Sequence, residues 1–210
     1  MVLLLATFLA AVVLPAGASA AGRGRRAPLC LPRPGTTASD GFGQVWADDD
    51  SGDIWGCAYG HHRVHLLENL GDAPFEDFGV VAMGGRFVAA EGWAGDPDSG
   101  YVWDYICVFD VLDGHRLACF GSANGPRGYG GGPVGSMVVK PDGATAWIAE
   151  PNWNNVPNQV KYGADEVYVD DAHGYRMVAS GTGIAAGSLA LEGNRIYWVQ
   201  DGAARFAAME

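Results

Sequence analysis

Positive charge is scarce in this 210-residue chain: 13 Lys and Arg stand against 24 Asp and Glu, a formal net charge of -11. A nucleic-acid-binding surface needs cations to neutralise phosphates, so that class is excluded. Helical periodicity is almost missing. No Asn-x-Ser/Thr acceptor occurs. Neither a CxxC pair nor a Cys/His zinc spacing is present, which argues against redox catalysis and structural zinc. The strained Gly-x-Ser-x-Gly elbow of a serine hydrolase is also lacking, since Gly121-Ser122-Ala123-Asn124-Gly125 is one glycine out of phase. The glycine run 128–132 leads into Pro133 rather than a helix, so it is no phosphate cradle.

Apolar and aromatic residues are not scarce. The chain is 49% hydrophobic with seven Trp, eight Tyr and eight Phe, which excludes a disordered acidic tail. Its 32 glycines have no three-residue period, which excludes collagen.

Residues 1–20 read as a cleavable signal peptide. An apolar run from Val2 to Val13 is broken by Pro15 and Gly17 and closed by Ala18-Ser19-Ala20. That run is too short to span a bilayer core of about 30 Å, so no transmembrane segment is expected in the mature chain, and the expected location is extracellular. Residues 21–40 form a basic Pro/Gly-rich leader with Arg23, Arg25, Arg26 and Arg33. Residues 41–210 form the folded body, in which nine bases face 23 acids.

Four cysteines in an exported chain imply two disulfides, with three connectivities open. A two-residue Asp113-Gly114 loop would set Cys107 and Cys119 on opposite faces of a hairpin. A three-residue loop opposing 111 to 115 would set them directly across from each other. The second register is preferred and leaves Cys30 for Cys57.

The body consists of short β-branched and aromatic runs separated by turn residues. Strand–turn–strand units recur around Gly84-Gly85, Pro141-Asp142-Gly143 and Glu192-Gly193-Asn194, and further hairpins turn at Asp113-Gly114 and Ala172-His173-Gly174. Four antiparallel strands in about 50 residues is the unit of a propeller blade. The fold class is therefore all-β, a small β-propeller-like array of about four antiparallel blades, with a β-sandwich as the alternative. Blades are expected at 78–120 and 134–180, a partial one at 41–67, and a three-strand remainder at 187–209 that the region Phe42–Ala47 could complete by closing the ring. The paired hairpins resemble secreted bacterial β-propeller proteins of the broad TolB-like or WD40-like kind. The tail 189–205, with Tyr197-Trp198 and Gly202, resembles the closing strands of exported actinobacterial proteins. That resemblance implies a fold and brings no catalytic set.

In a four-strand blade, the first and third turns share one end, while the second turns and the blade-to-blade connections share the other. The connections 67–77, 92–104, 121–133 and 151–165 all fall at the second end, so long loops gather on one face, where binding residues concentrate. The candidates there are Trp93, Asp96, Asp98, Trp103, Asp104, Asn152, Trp153, Asn154 and Tyr162, because flat rings beside amides and carboxylates suit sugars or peptides. The tight-turn end is expected to offer little. No catalytic residue, metal or cofactor is assigned. If a hard cation such as calcium binds, Asp96, Asp98 and Asp104 are the expected ligands. The expectation is an exported, acidic, disulfide-stabilised, non-enzymatic module binding an extracellular glycan, peptide or protein. The alternatives are a glycan hydrolase or lyase with carboxylates on the same face, and a module assembling through open sheet edges.

Overall fold

The computed structural model describes residues 29–48, 51–68, 77–96, 101–123, 132–150 and 164–210. The proposed signal peptide and the leader as far as residue 28, with Arg23, Arg25 and Arg26, lie outside these residues. All regular structure among them is β, in four antiparallel sheets, each an up-and-down meander. The first sheet comprises β1 (Ala38–Ser39), β2 (Gly43–Ala47), β3 (Ile54–Ala58) and β4 (His65–Glu68). The second comprises β5 (Asp77–Gly84), β6 (Phe87–Asp96), β7 (Tyr101–Asp110) and β8 (His115–Gly121). The third comprises β9 (Val134–Val139), β10 (Thr145–Ala149), β11 (Asp165–Asp170) and β12 (Arg176–Gly181). The fourth has three strands, β13 (Ala190–Glu192), β14 (Arg195–Gln200) and β15 (Ala203–Ala208).

Four separate sheets stacked in chain order make a propeller-like array and not a two-sheet sandwich. The array is not closed. Ring closure by Phe42–Ala47 fails because β2 is paired on both edges, to β1 and β3 inside the first sheet. The first sheet is also a full four-strand unit and not a partial one, since the end of the leader supplies β1.

Alternation along each strand feeds apolar side chains into the spaces between neighbouring sheets. Val45, Ile54 and Leu67 meet Val88, Cys107 and Phe109 between the first and second sheets. Ile106 and Val108 meet Met137, Trp147 and Tyr168 between the second and third. Ile148 and Val167 meet Ile196, Trp198 and Met209 between the third and fourth. Trp147 and Tyr168 are fully buried and stack at 5.6 Å. The half-exposed ring of Tyr175 lies 5.3 Å from Tyr168 and 5.6 Å from Phe120.

Both disulfides pair as the sequence predicts, Cys30–Cys57 and Cys107–Cys119. The hairpin reaches that pairing by another route. Asp110 faces His115 across a four-residue turn, 111–114, in which Gly114 takes φ +73°. Leu117 is then an extra residue on β8, and the resulting one-residue shift brings Cys107 opposite Cys119. Cys30 anchors the last part of the leader onto the outer face of the first sheet. There its amide donates to the His61 carbonyl (2.8 Å), Gln44 Nε2 donates to the Leu31 carbonyl (2.7 Å), and the Arg33 guanidinium sits 4.6 Å from the Trp46 ring.

Candidate functional site

The two ends of the array are joined differently. At one end no connection exceeds six residues: 40–42, 59–64, 85–86, 111–114, 140–144, 171–175 and 193–194. The other end holds the short connections 48–53, 97–100 and 201–202 together with all of the longer ones, 69–76, 122–133, 150–164 and 182–189. Long connections therefore share one end, as the strand order predicts. One of them is shorter than expected: β6 and β7 stay paired up to Asp96 opposite Tyr101, so the expected loop 92–104 shrinks to 97–100. Tyr101-Val102-Trp103 is β-prone, and Pro97-Asp98-Ser99-Gly100 is turn-forming sequence sufficient to close the hairpin.

Four candidates consequently lie in strands. Trp93 is half-buried and faces Asp104 across the ladder. Asp96 lies at the hairpin tip, and Trp103 pairs with Ala94. Asp98, Asn152, Trp153, Asn154 and Tyr162 lie outside the described residues. The calcium ligand set is not assembled: Asp104 is three rungs below Asp96 in the ladder, and no group of three or more His, Cys, Asp or Glu gathers to hold a metal among the described residues.

At the root of the long-connection end lies an acid pair on the face between the second and third sheets. Glu91, only 4% exposed on β6, receives two backbone amides. Val80 N–H donates to Oε2 at 2.8 Å and Val134 N–H donates to Oε1 at 2.6 Å. The first donor belongs to a register shift in β5 and the second opens β9, so one carboxylate ties two sheets together. Gly79 makes room for it, since a Cβ there would fall 1.9 Å from Oε2. Burial raises the Glu91 pKa, against the lowering effect of those two amides.

Asp104, 6% exposed on β7, is its neighbour. Its Oδ2 is buried with no hydrogen-bond partner among the described residues. Burial first, and the charge of Glu91 second, push its pKa up to about 7. The Asp104 carbonyl accepts the Ser122 amide at 3.0 Å, Ser122 Oγ donates to the Gly132 carbonyl at 2.6 Å, and Trp147 Nε1 donates to the Ser122 carbonyl at 2.6 Å. Glu91 and Ser122 were absent from the sequence-based candidates. One signal was legible: a lone acid directly after the apolar run Val88-Ala89-Ala90, on a strand, needs a buried partner.

At the opposite end three acids are bound to cations. Arg176 grips both oxygens of Asp171, at 2.5 and 2.8 Å, and that hydrogen bonding holds the carboxyl well below the usual range. Arg86 pairs with Asp110, and Lys140 Nζ sits 3.0 Å from Asp142 while donating to the Met209 carbonyl at 3.2 Å. Asp40 joins the first two sheets, with Oδ2 accepting the Gly85 amide at 2.7 Å. This end is not featureless, contrary to expectation. A cavity of about 360 Å³ opens between the second and third sheets, lined by Leu117, Ala118, Asp142, Asp170, Asp171 and Glu210.

No family model matches this chain, and no curated protein is similar to it. Among solved structures it is similar to hydrazine synthase of Kuenenia stuttgartiensis, with 15% identity and a TM-score of 0.45 over 82% of this chain and 51% of that one. The chain thus spans about half the length of that relative. It is also similar to a chain of a mitotic checkpoint complex, with 12% identity and a TM-score of 0.36 over 96% of this chain and 75% of that one. Likenesses this distant carry no argument about chemistry.

Proposed function

We propose that the protein is an exported, non-enzymatic binding module that presents its long-connection end to an extracellular ligand, of which a glycan is the first to test. The observation that carries this reading is the segregation of connection lengths on a rigid β scaffold, because variable loops on a fixed frame are where recognition is built. Trp93 stands half-buried in β6 near that end, and the sequence there carries Trp103, Asn152, Trp153, Asn154 and Tyr162, residue types suited to sugars or peptides. Export is supported by two disulfides, which persist in oxidising compartments, and by the signal-like residues 1–20. No helix among the described residues is long and apolar enough to cross a membrane. An origin among exported actinobacterial proteins belongs to the same proposal and rests on the tail 189–205.

The rival hydrolase reading gains one observation, the raised pKa of Asp104. A glycosidase needs two working carboxyls roughly 5–10 Å apart. Both oxygens of the neighbouring Glu91 are committed to backbone amides, which favours binding over hydrolysis.

The test is a binding screen of the exported chain against glycans and cell-wall fragments, repeated with Trp103→Ala and Trp153→Ala. Binding weakened about tenfold or more by either change supports the loop-end reading. Binding untouched by both removes it, and release of new reducing ends that Asp104→Asn abolishes would replace it with the hydrolase.

A further inference from the structure

The outer strands of the first three sheets share a device. β4, β8 and β12 each carry one extra residue against their inner neighbour: Leu67, Leu117 and Val178 respectively. Bulges of this kind twist a sheet edge away from an incoming strand. The fourth sheet has no such strand among the described residues. Its edge at that position is β15, which pairs with β14 over six residues with no shift of register. The edge sequence, Ala203-Ala204-Arg205-Phe206-Ala207-Ala208, holds no proline and a single charge. It therefore lacks the usual protections against strand addition.

The ladder fixes which amides are free to pair. Met209 N–H donates to the Asn194 carbonyl at 3.0 Å. Alternation from that rung turns residues 203, 205 and 207 toward β14, and Ala204, Phe206 and Ala208 outward. Phe206 is 62% exposed, with its ring 6.1 Å from Tyr197 and 5.3 Å from the Arg195 guanidinium. An aromatic strip thus runs from the edge onto the open face of the sheet. Glu192 and Glu210 border the same hollow as Arg195, so that face carries both signs of charge.

We infer that β15 is the seat of a homodimer, in which a second copy adds its own β15 antiparallel across a two-fold axis. A two-fold normal to the sheet preserves which face each side chain occupies, so residues of like parity must face each other. Centring the pair on Phe206 satisfies every group. Phe206 faces Phe206 of the partner subunit and exchanges both backbone hydrogen bonds with it, Ala204 faces Ala208 of the partner subunit, and Arg205 faces Ala207 of the partner subunit. Centring on Arg205 would instead set two guanidiniums opposite each other, which is unfavourable. The Ala208 carbonyl already accepts Arg176 Nη2 at 3.4 Å and has a second lone pair for the new rung. The product is one continuous six-stranded sheet whose two long-connection ends point in opposite directions.

Sedimentation across a wide concentration range tests this, together with two variants. Ala204→Pro removes an amide that points away from β14, so the fold keeps its ladder while the outward edge is blocked. The wild type should show a monomer–dimer equilibrium, with dimerisation weakened about tenfold or more in Ala204→Pro and the thermal transition of the monomer unchanged. Phe206→Cys should form an intermolecular disulfide on mild oxidation, because facing residues of a hydrogen-bonded pair lie about 5.5 Å apart. A wild type that stays monomeric throughout, a folded Ala204→Pro that dimerises as well as wild type, or a dimer that Phe206→Cys does not cross-link would each overturn the inference.

Discussion

The two ends of the array confront the same problem, negative charge at the seams between sheets, and treat it oppositely. At the tight-turn end three acids meet cations, Asp171 with Arg176, Asp110 with Arg86, and Asp142 with Lys140, while burial and the charge of Asp171 raise the pKa of Asp170 beside them. Burial alone would raise the Asp142 pKa, but the Lys140 hydrogen bond and charge and the Ala144 amide outweigh it and leave the carboxyl lowered. At the long-connection end Glu91 and Asp104 lie deep between two sheets, and both have raised pKa values. The first pattern is what a stability-driven seam looks like. The second spends stability on buried acids beside the face where function is proposed, a place where perturbed pKa values commonly gather.

The sharpest way to break this contrast is to remove the acid that joins two sheets. Glu91→Ala strands the Val80 and Val134 amides in the interior, and an unsatisfied buried donor costs roughly 1–3 kcal/mol. The expected loss is about 3–5 kcal/mol, read as a lower urea midpoint with an unchanged slope. A loss below about 1 kcal/mol would mean that water replaces the carboxylate and that this seam is not sealed.

Asp104→Asn should act in the other direction. The folded pKa of about 7 lies above the ordinary aspartate value, so wild type holds a proton that the unfolded chain releases between pH 4 and 7. Stability contributed by the protonated group is intact below pH 4 and is lost as pH rises through 7. The variant should match wild type near pH 4 and exceed it by about 2–4 kcal/mol at pH 8. Equal stability at both values would show that Asp104 ionises freely and that the ends do not differ in kind.

How much of this contrast the chain discloses depends on the range of the interaction. Blade limits at 78–120 and 134–180 come within a residue of the strands because glycine turns and β-branched runs are local signals. The pairing of Cys107 with Cys119 was also legible, but its route was not, because the Leu117 bulge depends on how the outer strand sits against its neighbours. The loop at 92–104 misled because Gly92, Gly95 and Gly100 look like breakers. Yet Gly92 sits within the ladder, where a Cβ would strike the Tyr105 ring, so its glycine serves close packing and not a turn. Of the site, the long-connection end was legible from strand order. The Glu91–Asp104 pair was not, since it forms only when β5, β6, β7 and β9 assemble. The acidic cavity at the tight-turn end was missed for the same reason, because its walls come from two sheets.

The smallest effect concerns the tight-turn end. Asp171→Asn removes one of the two oxygens that Arg176 grips but leaves an acceptor for either the His173 or the Glu210 amide. The Arg176 side chain is 34% exposed, so solvent screens the pair and the expected cost is about 1 kcal/mol. The sign of its pH dependence makes the test specific. The Arg176 hydrogen bond depresses the folded pKa of Asp171, so its contribution is full above the ordinary aspartate value near 4 and fades as pH falls toward the lowered one. The difference between wild type and variant should be constant from pH 5 to 8 and shrink in acid, whereas the Asp104→Asn difference grows over pH 4 to 7 and then levels. Unfolding midpoints of both variants over that span, at low and high salt, separate the two ends directly. If the two curves run parallel, cation-paired and buried acids behave alike, and the division of labour between the ends fails.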